Sequence, residues 1–309
     1  VEDLKTAGVN IKINNAYSRR QYRNNFDISN RFFKKAYQGL LYLITVINRT
    51  RQLNYDLKYH PNHIFVQREL VPKHLPQFLL SKLEILNNII WDFDDDIRAR
   101  NECSLKEFET LKKKAERIIV TNDYLNSMVD GKAILLPTTD GFARYIDIEN
   151  LIEKRKETFF SDFKTLWLGS FSNLSNLDLV DIPNLRVVCN RPYDGNVINI
   201  KWSRETAENE LLNAHLGIMP LKDEPYNYGK GAFKLIQYMS VGLPVIASSV
   251  GFNKEVVKPE FGFFDEFNIV KLSSDINLWE QMSRAAYKEY KKKYSYERNL
   301  NIWLDLFTS

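Results

Sequence analysis

The sequence predicts an α/β fold with two parallel-sheet domains, and three observations carry this prediction. Short apolar segments alternate with amphipathic ones along most of the chain, a pattern typical of parallel sheets covered by helices. Two such series are separated by a charged stretch, residues 141–163. The chain has 309 residues, 44% hydrophobic and 27% charged, which is sufficient for two globular domains.

Composition narrows the classes of function. The net charge of +4 is too small to indicate a nucleic-acid partner. Cys103 and Cys189 are the only cysteines, and the four histidines show no metal-ligand spacing, so we expect neither a disulfide framework nor a metal site, and a reducing cytoplasm suits the chain. The longest apolar run, residues 39–47, is too short to span a bilayer.

The first series begins with a helix over residues 1–8 and an alternating strand, VNIKINN. A segment rich in arginine and aromatic residues follows at 17–35, and its later part is predicted to be helical from about residue 28. This segment has two interpretations. It is either a surface for peripheral contact with anionic lipid headgroups or a polyanionic acceptor, or the charged outer face of an ordinary amphipathic helix.

Four strands come next, alternating with helices. They are HIFVQRE (63–69), NNIIWDFDDD (87–96), RIIVTND (117–123) and KAILLPTTD (132–140). The first strand ends in Arg68 and Glu69, and the second runs into Asp94 and Asp95. Because ligands of parallel sheets bind outside the carboxyl ends of the strands, these charged residues are candidate site residues. A buried ion pair is the alternative for Arg68 and Glu69.

The second series predicts a separate domain. Its strands are KTLWLGSFSN (164–173), NLRVVCN (184–190), NVINIKWS (196–203), HLGIMPL (215–221) and the apolar run that begins at Val245. Two helices close the chain. We therefore predict domains at 1–150 and 164–285, with C-terminal helices at 286–309 that pack back toward the first domain.

Residues 229–250, GKGAFKLIQYMSVGLPVIASSV, read as a glycine-rich loop, a helix, a glycine turn and a buried strand. Lys230, Lys234 and Gln237 are spaced i, i+4 and i+7, so they share one helical face. A helix N-terminus that carries glycines and a lysine favours an anion, because free N–H groups and the helix dipole both point at it. The alternative is an ordinary helix–strand unit with solvated lysines.

KLIQYMSVGLPVIAS, followed by GFNKEVV, resembles the donor-binding segment of retaining GT-B glycosyltransferases, family four in particular. The resemblance implies two Rossmann-like domains that face each other across a cleft, with the acceptor in the first and a nucleotide sugar in the second. It implies retaining sugar transfer to a glycan or lipid-linked acceptor, without metal ion or cofactor. The implied setting is the cytoplasm or the inner membrane surface, in the synthesis of a cell-surface polysaccharide or glycolipid.

The resemblance also assigns residues to the donor. Gly169 and Ser170 would approach the diphosphate, Arg191 ends a third strand of that domain, and Lys230 would neutralise the leaving group, because the basic pair usual after the first strand is absent. Two family glutamates fall on Gly229 and Gln237, and the glutamine still bonds a ribose hydroxyl. The other residues expected on the donor side are Asn227, Tyr228, Gly231 and Lys234.

The acidic run permits several interpretations. In the resemblance, Asp94 or Asp95 takes the place of a histidine that contacts the transferred sugar. The run is also compatible with a metal clamp, with a helix N-cap, or with the nucleophile of a metal-dependent phosphatase, which would require Mg²⁺. A further alternative is a transferase-like protein that binds a nucleotide or glycan without transfer, which the missing glutamate at Gly229 favours. Family members begin with a strand and a glycine-rich loop, so we expect the first domain to lack its first strand.

Overall fold

A computed structural model describes residues 1–16, 18, 21, 30–99 and 101–308. The chain divides into two compact units, residues 1–136 with 304–309, and residues 137–303. The predicted linker, 141–163, therefore lies inside the second unit. It contains a helix, Ile148–Thr158, whose Leu151 and Ile152 are buried in the cores of that unit. Of the predicted C-terminal helices, only residues 304–309 group with the first unit.

The first unit contains a four-stranded sheet in the order β1-β2-β3-β4, with every pair parallel. The strands are β1 (Ile64–Gln67), β2 (Ile89–Phe93), β3 (Ala115–Val120) and β4 (Ile134–Leu135). The described helices are α1 (Glu2–Thr6), α2 (Arg31–Tyr59), α3 (Gln77–Ile85), α4 (Leu105–Lys114) and α5 (Asp123–Met128). On β2, Trp91 packs its ring against Phe93 and against Phe108 of α4, so this strand lies at the centre of the core.

The alternating segment VNIKINN forms no strand, contrary to the sequence prediction. Side chains of α2 bind its backbone instead of a neighbouring strand. Arg49 donates to the carbonyl of Asn14 at 2.9 Å, and the Asn48 amide donates to the carbonyl of Ala16 at 3.0 Å. Alternation over a short exposed stretch was therefore not sufficient to form a strand here.

Helix α2 begins after Asn30, whose side-chain oxygen accepts hydrogen bonds from the backbone N–H groups of Phe32 and Phe33. This N-cap satisfies donors that the first helical turn cannot pair internally. The predicted basic aromatic segment, 17–35, falls mostly outside the described residues, which include its positions 18, 21 and 30–35. No helix of the described chain is long and apolar enough to cross a membrane.

The second unit contains a six-stranded sheet in the order β10-β9-β8-β5-β6-β7, again with parallel pairs throughout. The strands are β5 (Thr165–Leu168), β6 (Leu185–Cys189), β7 (Val197–Lys201), β8 (Leu216–Met219), β9 (Val245–Ala247) and β10 (Gly262–Phe263). The helices are α6 (Ile148–Thr158), α7 (Arg204–Asn213), α8 (Pro225–Tyr228), α9 (Phe233–Ser240), α10 (Asn253–Val256), α11 (Asn268–Ser274) and α12 (Ile276–Lys293). The last helix, α13 (Tyr296–Thr308), begins in this unit, and its residues from 304 onward belong to the first unit.

The strand order reverses between β5 and β8. From β5 the chain proceeds outward through β6 and β7, and then returns to place β8 on the other side of β5. Such a reversal opens a crevice at the carboxyl ends of the two neighbouring strands, which is where ligands of open α/β sheets bind. We call this place the donor edge, after the ligand that the sequence resemblance implies, and define it by the residues that follow β5 and β8, Gly169–Asn173 and Pro220–Gly231.

Helix α9 is held rigidly beside the donor edge. The Tyr238 hydroxyl, fully buried, accepts a hydrogen bond from the Leu168 backbone N–H of β5 at 2.8 Å. A Cβ at Gly217 of β8 would lie 2.4 Å from the Tyr238 ring, so only glycine lets the helix pack this closely. Buried Arg155 donates to carbonyls at the ends of α7 and α9, including Leu211 and Val241, where the helix dipoles favour a cation.

Candidate functional site

The loop after β5 requires glycine at its first position. A Cβ at Gly169 would lie 2.2 Å from the ring of Trp167, so a larger residue would displace either that ring or the backbone. The next residue, Ser170, precedes a 3-10 helix over Phe171–Leu179. Its hydroxyl lies 2.9 Å from that of Ser172 and accepts a hydrogen bond from the Asn173 amide at 3.1 Å. The loop therefore presents small polar groups next to the end of β5.

The structure brings Lys230 to this loop. Its Nζ donates to the side-chain oxygen of Asn173 at 3.2 Å and lies 4.8 Å from the ring centre of Tyr226. The two loops predicted from sequence to share a ligand thus meet through a side-chain contact. Asn173 was not predicted as a site residue, although it lies three positions after Ser170 in the same strand-end motif.

The N-terminus of α9 has an unusual backbone. Its N-cap is Ala232, which is buried and has a φ of 51°, in the left-handed region, and no side chain caps the helix. A left-handed residue other than glycine costs about 1–2 kcal/mol, so the surrounding structure must hold it in place. Uncapped N–H groups at the positive end of a helix favour an anion.

The two glycines that flank Lys230 do not have a left-handed backbone. Gly229 has a φ of −80°, which other residues adopt readily, and Gly231 is not among the residues with positive φ. The close approach occurs at Gly251 instead, where a Cβ would lie 2.7 Å from the carbonyl oxygen of Asn227. The loop before α9 is therefore positioned by the turn that follows β9.

Lys234 and Gln237 form a partly buried hydrogen-bonded chain with a residue that sequence analysis missed. The Lys234 ammonium donates to the Gln237 side-chain oxygen at 3.0 Å, and the Gln237 amide donates to Asp140 at 3.0 Å. Burial lowers the pKa of Lys234 to about 8, although the negative charge of Asp140 acts in the opposite direction. Asp140 ends a predicted strand segment, KAILLPTTD, and this position at a strand end was the available signal.

Three other predicted residues lie in the same unit with different surroundings. Arg191 is exposed, and its guanidinium lies 4.5 Å from the ring centre of Phe171 in the loop after β5. Asn227 is buried, and its amide donates to the carbonyl of Lys222 at 2.8 Å, so its amide nitrogen is engaged within the loop. A hydrogen bond with Asp223 raises the pKa of Tyr228.

The carboxyl ends of β1 and β2 carry an ion-pair network in the first unit. Arg68, with a φ of 63°, donates to Asp94 at 2.9 Å, to Asp95 at 3.3 Å and to Glu102. Glu69 lies 3.9 Å from the same guanidinium. Burial alone would lower the pKa of Arg68, but the surrounding carboxylates outweigh it and raise this pKa. We call these five residues the acidic edge.

Two further carboxyl groups lie near the acidic edge; Asp92 is half-buried and Glu107 is fully buried. Burial, reinforced by the charge of Asp94, raises the pKa of Asp92 to about 7. Burial also raises the pKa of Glu107 to about 7, even though it accepts a hydrogen bond from the Leu70 backbone N–H at 2.5 Å. Asp96 caps a turn, because its side chain accepts hydrogen bonds from the backbone N–H groups of Arg98 and Ala99, whereas the helix that follows, α4, has Ser104 as its N-cap.

Within the described residues, no group of three or more histidine, cysteine, aspartate or glutamate side chains is arranged to hold a metal ion. Asp94 and Asp95 instead share a guanidinium. A cavity of about 250 Å³ lies in the second unit beside the ends of β8, β9 and β10, with Pro220, Ser248 and Phe264 in its lining. None of the predicted donor residues lines that cavity.

No protein-family model and no curated protein matches the sequence. Solved structures do match. Sucrose-phosphate synthase from Thermosynechococcus elongatus aligns with a TM-score of 0.62 and 14% identity over 86% of this chain and 77% of its own. Anabaena HepE in complex with UDP aligns with a TM-score of 0.57 and 12% identity over 85% of this chain and 82% of its own. A glycosyltransferase from Rickettsia africae ESF-5 aligns with a TM-score of 0.54 and 13% identity over 100% of this chain and 88% of its own.

The chain has the GT-B glycosyltransferase fold. This finding confirms the predicted fold class of two Rossmann-like domains. In that fold the second parallel sheet of this chain carries the strand-order reversal, and the predicted residues Gly169, Ser170 and Lys230 gather there. Identities of 12–14% establish a likeness of fold, and the chemistry has to be argued from the side chains.

Proposed function

We propose that this protein is a glycosyltransferase that binds a nucleotide-sugar donor at the donor edge and transfers the sugar to a glycan or lipid-linked acceptor. The observation that carries the proposal is the convergence of three elements at one strand-order reversal. These are the glycine-dependent loop at Gly169, the contact between Lys230 and Asn173, and the uncapped N-terminus of α9. HepE, which shares the fold, was solved with UDP.

Lys230 has the central role in the proposed chemistry. As the sugar leaves, negative charge grows on the nucleoside diphosphate, and a fixed cation with backbone N–H donors stabilises that charge. The amide of Asn173 holds the ammonium on the side of the β5 loop. Gly169 and Ser170 let backbone N–H groups approach the diphosphate, because no bulky side chain stands between them.

Gln237 and Lys234 would bind the nucleotide ribose and adjacent phosphate. The Gln237 amide has both donor and acceptor atoms, and Asp140 fixes its orientation by accepting from the nitrogen. A ribose hydroxyl would then meet an amide whose oxygen points toward Lys234. Arg191 is positioned beside the β5 loop and supplies a further cation toward an anionic donor.

For the first unit we assign acceptor and sugar contacts to the acidic edge. Asp94 is the better candidate for contact with the transferred sugar, because its side chain is 45% exposed and that of Asp95 is 27% exposed. Arg68 and Glu69 would help to recognise the acceptor. The proposed transfer retains configuration, with the departing diphosphate accepting the acceptor's proton, and requires no metal ion. A surface polysaccharide or glycolipid made in the cytoplasm remains the proposed product.

A binding protein without transfer activity is the second candidate. It is favoured by Gly229, which offers no side chain where the resembling family has a glutamate. A metal-dependent phosphatase is disfavoured by the pairing of Asp94 and Asp95 with Arg68, since a phosphatase nucleophile must reach its substrate. Release of free nucleoside diphosphate during incubation with donor and acceptor distinguishes transfer from binding.

Thermal unfolding with a panel of nucleoside diphosphates and nucleotide sugars, in the presence of EDTA, tests the proposal. A ligand that binds only the folded state at 100 times its Kd adds about 2.7 kcal/mol of stability. We expect one base to raise the melting temperature of the wild type. The rise should be lost in Lys230→Ala and kept in Lys292→Ala, an exposed lysine on α12. No rise with any nucleotide would overturn the proposal.

A further inference from the structure

The cavity of about 250 Å³ in the second unit lies beside the carboxyl ends of β8, β9 and β10. We call it the β9 cavity, after the middle strand of the three. Its volume is below the roughly 300–1,000 Å³ of pockets that hold drug-sized ligands, so a compact ligand fits it. Ligands of parallel sheets bind at this end of the strands, and the residues that we assign to the nucleotide sugar lie outside its lining.

Most of the lining is apolar. Ile218 of β8 and Ile246 of β9 are buried and lie side by side in the parallel register, and Ile182, before β6, is buried in the same core cluster. Phe264 and Phe267 line the cavity as well, but they are 46% and 80% exposed. Buried aliphatic side chains and exposed aromatic rings together offer an apolar surface to a ligand.

The charged residues of the lining are both acidic, Asp265 and Glu266. Burial raises the pKa of Glu266, and the negative charges of Asp181 and Asp265 raise it further, although a backbone hydrogen bond from Asp181 acts in the opposite direction. Within the described part of the chain, no lysine, arginine or histidine forms an ion pair with any of these three carboxylates. The β9 cavity therefore favours a positive charge.

Glu266 also has an acceptor atom that internal contacts do not use. The side chain is half-buried, but its Oε2 atom is buried, and no donor among the described residues forms a hydrogen bond with it. The large majority of buried polar atoms in proteins have a hydrogen-bond partner. Asp265 differs, because its Oδ1 accepts a hydrogen bond from the Phe267 backbone N–H at 2.9 Å. Glu266 thus has an oxygen available to a donor that enters the cavity.

We propose that the β9 cavity binds a compact organic cation, an apolar body that carries one ammonium or guanidinium group. The isoleucine side chains would pack against the body, and Oε2 of Glu266 would accept a hydrogen bond from the cationic group. A hydrogen bond between ionised groups is roughly twice as strong as one between neutral groups, and aromatic faces such as those of Phe264 and Phe267 attract cations. This inference goes beyond the proposed sugar transfer and does not depend on it, because no nucleotide takes part.

Other classes of ligand fit the β9 cavity less well. A phosphate or carboxylate would meet carboxylates of like charge, which raise its free energy of binding. A metal ion requires several oxygen ligands around one point, and the described residues contain no group of three or more acidic, histidine or cysteine side chains in such an arrangement. A neutral apolar molecule would cover Oε2 of Glu266 without supplying a donor, which is unfavourable.

Saturation-transfer NMR titrations of the full chain test the proposal with three probes of similar shape, which are benzylammonium, benzyl alcohol and benzoate. No nucleotide is present. We expect benzylammonium to bind at least about tenfold more tightly than benzyl alcohol, because its charge is paired with Glu266, and benzoate to bind more weakly than either. Absence of benzylammonium binding, or equal affinities for benzylammonium and benzyl alcohol, would overturn the proposal.

Two variants with matched controls locate the site. Glu266→Gln should bind benzylammonium no more tightly than benzyl alcohol, whereas Glu260→Gln, at an exposed position outside the lining, should keep the wild-type preference. Val180→Phe enlarges a half-buried residue of the lining and should weaken the binding of both probes. Val197→Phe, at a half-buried position on β7, should not. Equal effects in variant and control would contradict the assignment.

Thermal unfolding separates loss of the site from loss of the fold. Glu266→Gln should melt no lower than the wild type, because it removes a charge that burial and two neighbouring carboxylates disfavour. A variant that loses benzylammonium binding at an unchanged melting temperature supports the proposal. If Glu266→Gln unfolds at a lower temperature, Val180→Phe and Val197→Phe still decide whether the probe binds in the β9 cavity.

Competition experiments identify the source of the cation and keep this proposal separate from sugar transfer. Displacement of benzylammonium by the peptide N-acetyl-Leu-Lys-Leu-amide, and not by its Leu-Gln-Leu counterpart, would assign a lysine side chain as the ligand. Binding of benzylammonium without displacement by the peptide would assign a free amine. A nucleoside diphosphate that stabilises the protein should leave benzylammonium binding unchanged. Displacement by that nucleotide would overturn the proposal, because the two ligands would then share one site.

Discussion

The donor edge and the acidic edge both place cations at the carboxyl end of a parallel sheet, but in opposite electrostatic surroundings. Beside the donor edge, in the first turn of α9, burial lowers the pKa of Lys234 to about 8, and its ammonium donates to a neutral amide. At the acidic edge, carboxylates raise the pKa of Arg68. A bound phosphate would relieve the cost of charge at Lys234, whereas Arg68 already has anionic partners.

An anionic ligand should therefore gain more binding free energy at the donor edge than at the acidic edge. An anion at the donor edge offsets the cost that burial imposes on the charged Lys234 ammonium. An anion at the acidic edge meets four carboxylates around one guanidinium.

Removal of the guanidinium from the acidic edge should give the largest effect. Arg68→Met leaves Asp94, Asp95 and Glu102 without their cation. Breaking a buried ion pair costs about 3–5 kcal/mol, and because the Arg68 side chain is 28% exposed, we expect a loss near the lower end. Urea unfolding measures it. The nucleotide-induced rise in melting temperature should remain, and its disappearance would show that the two edges are not independent.

A methyl group at the start of the donor edge should give the next largest effect. Gly169→Ala places a Cβ 2.2 Å from the Trp167 ring, and such overpacking costs about 1–3 kcal/mol. Nucleotide affinity should fall with it, because the loop after β5 must shift. Gly39→Ala serves as the control, since a Cβ there meets nothing within 4 Å and replaces glycine inside a helix. The Gly39→Ala control should be stabilised by about 1 kcal/mol. A Gly169→Ala variant whose free energy of unfolding equals that of the wild type would contradict the geometry.

The lowered pKa of Lys234 predicts a pH dependence. The folded pKa of about 8 lies below the ordinary value of 10.5, so the unfolded chain binds more protons between these values. Stability contributed at this position therefore rises with pH from about 8 to 10.5, and the cost of the charge is fully present below pH 8. Lys234→Met should be more stable than the wild type near neutral pH, by roughly 1–3 kcal/mol.

Comparison of urea unfolding at pH 7 and pH 10 tests this assignment. The advantage of Lys234→Met should shrink at the higher pH. Equal stability differences at both values would mean that Lys234 is not buried as a charge. Lys292→Met, on the exposed side of α12, should show no pH-dependent difference.

Replacement of the carboxylate beyond Gln237 should give the smallest effect. Asp140→Asn keeps an oxygen that accepts from the Gln237 amide but removes the charge that raises the pKa of Lys234. The pKa of Lys234 should fall further, so nucleotide affinity should begin to decline at a lower pH than in the wild type. Calorimetric titration over a pH series measures this. A profile that does not change would show that Asp140 acts only as a hydrogen-bond acceptor.

Much of the fold was predictable because hydrophobic periodicity reports burial directly. The alternating strands and helices of both units follow from it, and the contact of Lys230 with the loop that begins at Gly169 follows because β5 and β8 are neighbouring strands. The charged segment at 141–163 was misjudged as a linker. Its helix buries Leu151, Ile152 and Arg155 in the core. Composition could not predict this, because an arginine that is buried against carbonyls cannot be told from an exposed one by sequence.

The remaining site residues depend on contacts between distant parts of the chain. Asn173 is 57 positions from Lys230, and Asp140 is 97 positions from Gln237, so no local pattern pairs them. Arg68 could be paired by sequence with its neighbour Glu69, but its hydrogen bond to Asp94 requires the parallel register of β1 with β2. Local sequence identifies strand ends, and register decides which side chains meet there.

Hydrogen exchange with mass spectrometry, in the presence of the nucleoside diphosphate that stabilises the protein, tests the central claim most directly. If the donor binds at the donor edge, amides in residues 168–174 and 230–237 should exchange more slowly, while those in residues 92–102 should be unaffected. Slower exchange confined to residues 92–102 would contradict the account, because it would place the nucleotide at the acidic edge.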